Sequence, residues 1–268
     1  MSIPSQAAEG APVLVEQADR VLIITINRPE AGNSISLEVA DAIVRALGNQ
    51  QRPREEILGV IVTGAGDRFF CTGGDLKAYQ ALQTPAQLRR AFGKVRKLLD
   101  VIEAFRLPVI AAINGYALGG GVDFALACDV RIATVGAQIG FAQANLGLIS
   151  GWNGIERLVE AVGRSTAMRL LLTGERLSAQ DAQALGLIDI VSEGSASAEA
   201  LRFTKRLQEV GPLTLGAAKT AVLAALHRSA KDARRISSDL FEKLWFSEDH
   251  REAERAFLEK RRPNFRGR

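Results

Sequence analysis

Residues 108–129, which read PVIAAINGYALGGGVDFALACD, decide the fold of this chain. The first part, residues 108–113, is almost wholly apolar and predicts a strand that is buried on both faces. Three consecutive glycines at 119–121 then lead into an apolar helix over residues 122–127. A buried strand that passes through a glycine turn into a helix is typical of an α/β fold with mostly parallel strands.

The sequence before this stretch has the same order of elements. Residues 57–62 form a second short apolar run, and the glycine-rich segment 63–75 separates it from helical sequence that continues to residue 105. Two strand-like runs come first, at residues 13–16 and 21–26, and the second is rich in β-branched side chains. Strands and helices therefore alternate, with glycine loops where strands give way to helices.

Capping residues and prolines mark the helix boundaries. Ser36 has the position of an N-cap for a helix whose apolar residues recur at helical spacing. From about residue 163 the sequence is largely helical, apart from a strand-like run at 187–191. Pro212 marks a boundary or a first helical turn, and Pro263 ends the last helix.

The composition narrows the function classes. With 268 residues and 47% apolar composition, the chain can bury one substantial core. The net charge is +4, and we interpret the basic clusters at 89–97 and 260–268 as solvated faces, since they lack the aromatic interleaving of single-stranded nucleic-acid binding. Only two cysteines and two histidines occur, without a CxxC pair, which argues against a disulfide framework and a metal site.

The N-terminal residues 1–10 are small and polar and do not have the pattern of a signal peptide. No apolar run reaches membrane-spanning length. We therefore expect a disordered segment at 1–10 and a soluble, cytoplasmic protein that binds neither nucleic acid nor a membrane.

Two glycine clusters indicate where the chemistry lies. FCTGGDL at 70–76 and NGYALGGGVD at 114–123 allow close backbone approach, and the second opens a helix, where unpaired N–H groups favour negative charge. If the two loops face each other, they offer two N–H donors to one developing oxyanion. Each cluster could instead be a simple tight turn. Neither matches the GxxxxGK(S/T) phosphate loop or the GxGxxG dinucleotide pattern.

The sequence resembles a known family at several points. FCTGGDL is similar to the CoA-binding loop of the crotonase superfamily, the enoyl-CoA hydratase/isomerase family, and residues 110–129 resemble that family's signature. Further matches follow the family's order from about residue 13 to the C-terminus: NRP at 27–29, LTG at 172–174, SAQDA at 178–182 and FLEKRRPNF at 257–265. By this resemblance the chain is identified as a member of the superfamily.

The resemblance implies an architecture. It predicts a crotonase-like α/β spiral of ββα units over residues 11–200 and a C-terminal helical region over 201–268 that builds trimers. A homotrimer, or a dimer of trimers, is the assembly that the family implies.

The resemblance also assigns site residues. The backbone N–H groups of Gly74 and Gly120 would form an oxyanion hole that holds the thioester carbonyl of an acyl-CoA substrate while an enolate forms. Family positions for CoA binding fall on Cys71, Gly73, Asp75, Leu76, Phe257 and Lys260, the last two often reaching the CoA of a neighbouring subunit. CoA arrives as part of the substrate, so we expect no separate cofactor and no metal.

The chain departs from the family pattern at its two catalytic glutamates, which are replaced by Asp123 and Gln143. Asp129 and Gly147 anchor this register. An aspartate carboxyl reaches roughly an ångström less far than a glutamate carboxyl, and such shifts damage catalysis. Gln143 can donate and accept hydrogen bonds but cannot shuttle a proton. Ordinary hydration by two carboxylates is therefore not expected.

Three hypotheses remain open from the sequence. In the first, which we favour, Asp123 shuttles a proton in a specialised hydration or a double-bond isomerisation, and Gln143 orients water or the acyl group. In the second, the enzyme decarboxylates a malonyl-type thioester, because LISGWNG at 148–154 faintly resembles family decarboxylases. In the third, the chain is a non-catalytic acyl-CoA-binding or assembly subunit.

Overall fold

The computed structural model describes residues 10–49 and 57–268, so the predicted disorder of residues 1–10 lies, except for Gly10, outside the described residues. The strands are Val13–Ala18 (β1), Val21–Ile26 (β2), Gly59–Gly64 (β3), Phe69–Cys71 (β4), Val109–Ile113 (β5), Tyr116–Leu118 (β6), Val130–Thr134 (β7), Gln138–Gly140 (β8), Arg176–Ser178 (β9) and Ile190–Ser192 (β10). The helices are Leu37–Gly48 (α1), Leu76–Tyr79 (α2), Pro85–Glu103 (α3), Gly120–Leu126 (α4), Gly154–Thr173 (α5), Ala179–Ala184 (α6), Ala196–Leu207 (α7), Pro212–His227 (α8), Ala230–Trp245 (α9) and Glu248–Leu258 (α10).

The larger sheet has six strands in the order β1-β2-β3-β5-β7-β10. Only the β1–β2 pair in this sheet is antiparallel, and the other neighbours are parallel. Every residue of β3 and of β5 is buried, as expected for parallel strands covered on both faces. The predicted core of mostly parallel strands is therefore confirmed.

A second, smaller sheet has four strands in the order β4-β6-β8-β9. The chain runs from β3 to β4 and then to α2 and α3, from β5 to β6 and then to α4, and from β7 to β8 and then to α5. Each of these units gives its first strand to the large sheet and its second strand to the small sheet. This repetition is the predicted spiral of ββα units, and it places both glycine clusters where a small-sheet strand gives way to a helix.

Successive side chains along a strand of the large sheet point to opposite faces, so each face packs against a different set of helices. Val60 and Val62 belong to the main core, which also contains the buried faces of α1 and α3. Ile61 and Ile110 face the other way and pack with small side chains of α7. The domain boundary predicted between residues 200 and 201 falls inside α7, and the division into two regions stays a prediction.

The helix boundaries follow local signals in part. Ser36 caps α1 as predicted, accepting a 3.2 Å hydrogen bond from the Val39 N–H. Pro212 is the first residue of α8, and α10 ends at Leu258, before Pro263.

The strand predicted at 187–191 is shifted in the structure to β10. Leu187 and Ile188 instead close the end of α6, each donating its backbone N–H to the Ala182 carbonyl oxygen. Strands β4, β6, β7, β8 and β9 were not predicted individually from the residues. The three residues of β9, for example, pair with β8 and carry no periodic pattern of their own.

No single helix within residues 10–49 and 57–268 combines the length and apolar composition of a membrane span, although α7 and α8, bent by 109°, pass that test as a pair. Over the same residues, no group of three or more His, Cys, Asp or Glu side chains is arranged to hold a metal ion.

Candidate active site

The two glycine turns meet, as an oxyanion site requires. A Cβ atom built on Gly73 would lie 2.9 Å from the Gly120 nitrogen, and one built on Gly121 would overlap the carbonyl oxygen of Cys71. Gly73 has a φ of 99°, which favours glycine, and its carbonyl oxygen accepts a 2.8 Å hydrogen bond from the Ile35 N–H. Side chains at these positions would push the turns apart, so the glycines let two loops 40 to 50 residues apart in sequence touch through their backbones.

Gly74 and Gly120 each present an N–H group at this junction. Gly120 is the first residue of α4, so the helix has no acceptor for its amide, and Gly119 before it has a non-helical backbone with φ of 54°. Among the described residues, neither amide donates a hydrogen bond. Within the part of the chain that the structure describes, both amides therefore lack an acceptor, as the predicted oxyanion role requires.

Aromatic rings cover both of these glycines. A Cβ on Gly74 would overlap the ring of Tyr79, and one on Gly120 would overlap the ring of Trp152. Phe92 of α3 stacks on Tyr79 with ring centroids 5.0 Å apart, and it also packs against Gly151. The predicted reacting centre is therefore bordered by aromatic side chains from α2, α3 and the segment before α5.

Asp123 lies in the first turn of α4 with only 1% of its surface exposed. The Ser150 hydroxyl donates a 2.7 Å hydrogen bond to Oδ2 of Asp123 and accepts one of 3.2 Å from the Gly154 N–H. Burial raises the pKa of Asp123 to about 6, and the hydrogen bond from Ser150 opposes that rise. An acid with this pKa exists in both protonation states near neutral pH, as a group that exchanges protons must.

The second carboxyl oxygen of Asp123, Oδ1, is buried and has no hydrogen-bond partner among the described residues. It packs against Gly154, at the start of α5, where a Cβ atom would overlap it. Since the hydroxyl proton of Ser150 is directed at Oδ2, a proton carried by Asp123 belongs on Oδ1.

Gln143 occupies the second of the two positions where the family pattern predicts a catalytic glutamate. Its amide group is 3.7–3.8 Å from a Cβ built on Gly119, next to the free amide of Gly120. Its Oε1 atom is buried without a partner in the described part of the chain. The structure therefore brings Gly74, Gly120 and Gln143 to one place, with Asp123 in the helical turn that Gly120 begins.

The residues predicted to bind CoA in the first loop have several structural tasks. The Cys71 thiol is fully buried, and desolvation raises its pKa to about 12, so it is not a reactive group. Asp75 caps α2 through the Ala78 N–H and forms a 2.8 Å salt bridge with Arg28, which holds the pKa of Asp75 below its usual value. Leu76 is 58% exposed and is available for contact with a ligand.

Phe257 and Lys260 lie elsewhere, at the end of α10. Phe257 is 84% exposed, and Lys260 is also exposed with a positive φ of 54°. No contact described for these two residues joins them to the glycine loops. Their predicted contact with the CoA of a neighbouring subunit stays a prediction.

Sequence reasoning missed part of this site. Ser150 is 27 residues from Asp123, and nothing in the spacing indicates their hydrogen bond. Phe92 lies in a basic amphipathic helix and gives no signal of its own. Tyr79 and Trp152 carried weak signals, since Tyr79 follows the first glycine loop at helical spacing and Trp152 lies in the segment 148–154.

The family model for enoyl-CoA hydratase/isomerase matches residues 16–268 of this chain. Together with the ββα spiral and the paired glycine turns, this match shows that the chain belongs to the enoyl-CoA hydratase/isomerase family and is an acyl-CoA enzyme of that family. The resemblance seen in the sequence is confirmed.

Particular relatives agree with this assignment. The chain is 36% identical to (E)-benzylidenesuccinyl-CoA hydratase of Thauera aromatica, over 96% of this chain and 99% of the relative. It is 35% identical to 2,3-dehydroadipyl-CoA hydratase of Escherichia coli, over 96% and 99%. The crystal structure of enoyl-CoA hydratase from Bacillus anthracis superposes with a TM-score of 0.90 at 32% identity, over 96% of this chain and 100% of that one. Relatives with these names do not favour the hypothesis of a non-catalytic subunit.

Proposed function

We propose that this chain is a specialised enoyl-CoA hydratase in which Asp123 is the one carboxyl group that exchanges protons with substrate and water. One observation carries the proposal: Gln143 lies against Gly119, and Asp123 lies in the helical turn that begins at Gly120. The amides that would hold the thioester oxygen, the acid and the neutral amide are therefore neighbours. The hydratase names of the relatives support the reaction class.

The proposed mechanism assigns one task to each group. The N–H groups of Gly74 and Gly120 stabilise the negative charge that develops on the thioester oxygen when water adds to the conjugated double bond. Asp123 in its ionised form takes a proton from the attacking water and then delivers a proton to the α carbon. Gln143 holds the water through Oε1, since an amide oxygen accepts hydrogen bonds without taking the proton.

The substrate is proposed to be an enoyl thioester of CoA, and CoA is the only cofactor-like group involved. The relatives from T. aromatica and E. coli are named for benzylidenesuccinyl-CoA and 2,3-dehydroadipyl-CoA. The aromatic border formed by Tyr79, Phe92 and Trp152 favours an acyl group with a flat, conjugated portion. Isomerisation of a 3-enoyl thioester needs the same single acid and belongs in the same assay panel.

A homotrimer, or a dimer of trimers, is proposed as the working assembly. Large aromatic side chains are exposed on α9, directly after it and on α10, namely Phe241, Phe246 and Phe257. Contiguous exposed aromatic residues mark interaction surfaces. In such an assembly Phe257 and Lys260 would reach the CoA held by a neighbouring subunit.

Decarboxylation of a malonyl-type thioester is the second candidate, because Asp123 is only 1% exposed and its Oδ2 atom already accepts a hydrogen bond from Ser150. In that reaction the bond to the carboxylate breaks and carbon dioxide leaves. The electron pair of the broken bond forms the enolate, which then takes a proton from water at the α carbon. The oxyanion amides are needed, and a general base is not.

The test is a panel of crotonyl-CoA, an aryl-substituted enoyl-CoA, a 3-enoyl-CoA and a malonyl-type thioester. We expect loss of the conjugated enoyl absorbance with the wild-type protein and a roughly 100-fold or greater loss of kcat in Asp123→Asn. Gln143→Glu, which restores a second carboxylate, should accelerate crotonyl-CoA hydration. Hydration that survives Asp123→Asn, or release of carbon dioxide without any hydration, would contradict the proposal.

A further inference from the structure

The hydroxyl group of Tyr79 is buried, and it has no hydrogen-bond partner among the described residues. Its oxygen lies 3.0 Å from a Cβ atom built on Gly74, which places it beside an amide that also lacks an acceptor. A buried polar group without a partner is costly, and in native proteins such a group marks strain, a bound water or ion, or a catalytic role. Here two hydrogen-bond donors without acceptors lie together, and the amide of Gly120 adjoins the same turn.

The position of the Tyr79 ring is set by its neighbours. Tyr79 is the last residue of α2, whose first turn is capped by Asp75. The ring stacks on Phe92 at a centroid distance of 5.0 Å and contacts Gly74, where a larger residue would collide with it. The hydroxyl is therefore held against the glycine turn by packing that does not depend on a hydrogen bond.

The protonation state of Tyr79 suits a donor. Burial raises the pKa of its hydroxyl to about 12, and the nearby charge of Asp75 acts in the same direction. The phenol is neutral at working pH and can donate its proton in a hydrogen bond without transferring it. The buried carboxylate of Asp123 is hydrogen-bonded to Ser150 and is not a partner of Tyr79.

We propose that Tyr79 is a further catalytic residue, whose hydroxyl donates a third hydrogen bond to the thioester oxygen beside the amides of Gly74 and Gly120. The inference deepens the proposed function, because it concerns the same acyl-CoA site. A donor that is fixed in place before the reaction stabilises the developing oxyanion most, since it need not reorient as charge appears. The hydrogen bond strengthens as the enolate forms, so it lowers the barrier and also favours bound enolates.

Tyr79→Phe tests this role because it removes the hydroxyl and keeps the ring that packs on Phe92. We expect kcat/KM for the best enoyl-CoA substrate to fall roughly 100-fold, the lower range for loss of one oxyanion donor. Bound acetoacetyl-CoA gives a readout that does not depend on turnover, because its enolate absorbs in the near ultraviolet. The fraction of bound enolate at a fixed pH should fall about tenfold in the variant.

A CoA thioether that lacks the carbonyl oxygen separates hydrogen bonding from packing. Tyr79→Phe should lower the affinity for acetoacetyl-CoA and leave the affinity for the thioether unchanged. Tyr116→Phe is the matched control, since Tyr116 is the other of the two tyrosines in the chain and packs on Phe69 in β4. Tyr116→Phe should leave the affinity for both ligands unchanged.

An equal loss of affinity for acetoacetyl-CoA and for the thioether, or no change in either affinity, would overturn the role of Tyr79. These binding results stand whatever the reaction is. If no acyl-CoA is hydrated but the selective loss of enolate binding is observed, the proposed hydration fails and the third donor is still supported.

Discussion

At the scale of single residues, the state of Asp123 depends on two opposing effects. Removal from water raises its pKa, because a buried carboxylate loses its hydration. The hydrogen bond from Ser150 lowers the pKa, because it stabilises the ionised form. Ser150 is itself fixed by the Gly154 N–H, so its proton has one direction available. Ser150 is thus a positioning residue, which acts through Asp123.

Ser150→Ala should raise the pKa of Asp123 further, because the effect that lowers it is removed while burial remains. In the proposed hydration the ionised form takes the first proton, so activity is lost as pH falls through this pKa. The acid limb of the kcat/KM profile should therefore move to higher pH in the variant. The measurement is a pH–rate profile between about pH 5 and 9, the range around a carboxyl with raised pKa.

The same change has a consequence for stability with a definite sign. A carboxyl whose folded pKa is raised destabilises the fold once the pH exceeds its unfolded value, and Ser150→Ala enlarges that cost. The variant should therefore lose more stability, relative to wild type, at pH 8 than at pH 4. Ser192→Ala is the control, because Ser192 is also buried but its hydroxyl accepts from Gly194, far from any titrating site group. A loss that is independent of pH would show that Ser150 only packs.

At the scale of elements, the start of α4 combines a free amide with close packing. Gly120 opens the helix and lies under Trp152, while Gly121 lies under the Cys71 carbonyl oxygen. The helix can begin here only because neither position has a side chain. The strand-to-helix turn therefore determines both the direction of the amide and the approach of the two loops.

Gly120→Ala should reduce activity by roughly 100-fold or more, because the added methyl group overlaps the Trp152 ring and displaces the amide from the oxyanion. Gly93→Ala is the matched control inside α3, where an added Cβ meets no atom within 4 Å. It should keep full activity and raise the unfolding free energy by about 0.5–1 kcal/mol. Activity assays and urea unfolding measure the activity and the free energy of unfolding of each variant. Full activity in Gly120→Ala would rule out an essential amide at this position.

At the scale of the whole molecule, the C-terminal helices differ from the core. The main core consists of strands and helices that bury Val, Ile and Leu side chains, and α7 packs against the other face of the large sheet. By contrast, α9 contains no buried residue, and Trp245 and Phe246 at its end are half or more exposed. The proposed assembly rests on this surface, because large exposed apolar patches mark interaction sites.

Light scattering of the full chain should give three or six times the subunit mass of 28.8 kDa. Phe246→Glu places a charge on the exposed aromatic surface and should produce smaller species, with weaker binding of acyl-CoA if Phe257 and Lys260 of a neighbouring subunit contribute. Lys231→Glu, in the first turn of α9 and also exposed, should leave the mass unchanged. A monomeric wild-type protein would contradict the proposed assembly.

Local sequence signals located several strands of the large sheet and the start of α1. Residues 21–26 and 109–113 are strands as expected, because β-branched and small apolar residues suit a pleated, fully buried position. Ser36 caps its helix as predicted, because the cap depends only on residues three positions apart. The register of β10 and the presence of β4, β6, β7, β8 and β9 were not predicted from the residues in the same way, since short strands are defined by their partners.

The sequence by itself determined the α/β core of mostly parallel strands and the two glycine clusters, because these follow from short-range backbone preferences. Its contiguous motifs also carried the family resemblance, and the ββα spiral was predicted from that resemblance. By the same resemblance, the sequence predicted Asp123 and Gln143 at the positions of the family's two glutamates. Only the tertiary structure decided that Ser150 holds Asp123 and that Tyr79 lies over Gly74. Burial, pKa and donor geometry depend on residues that are distant in sequence and meet only when both sheets and their helices have packed.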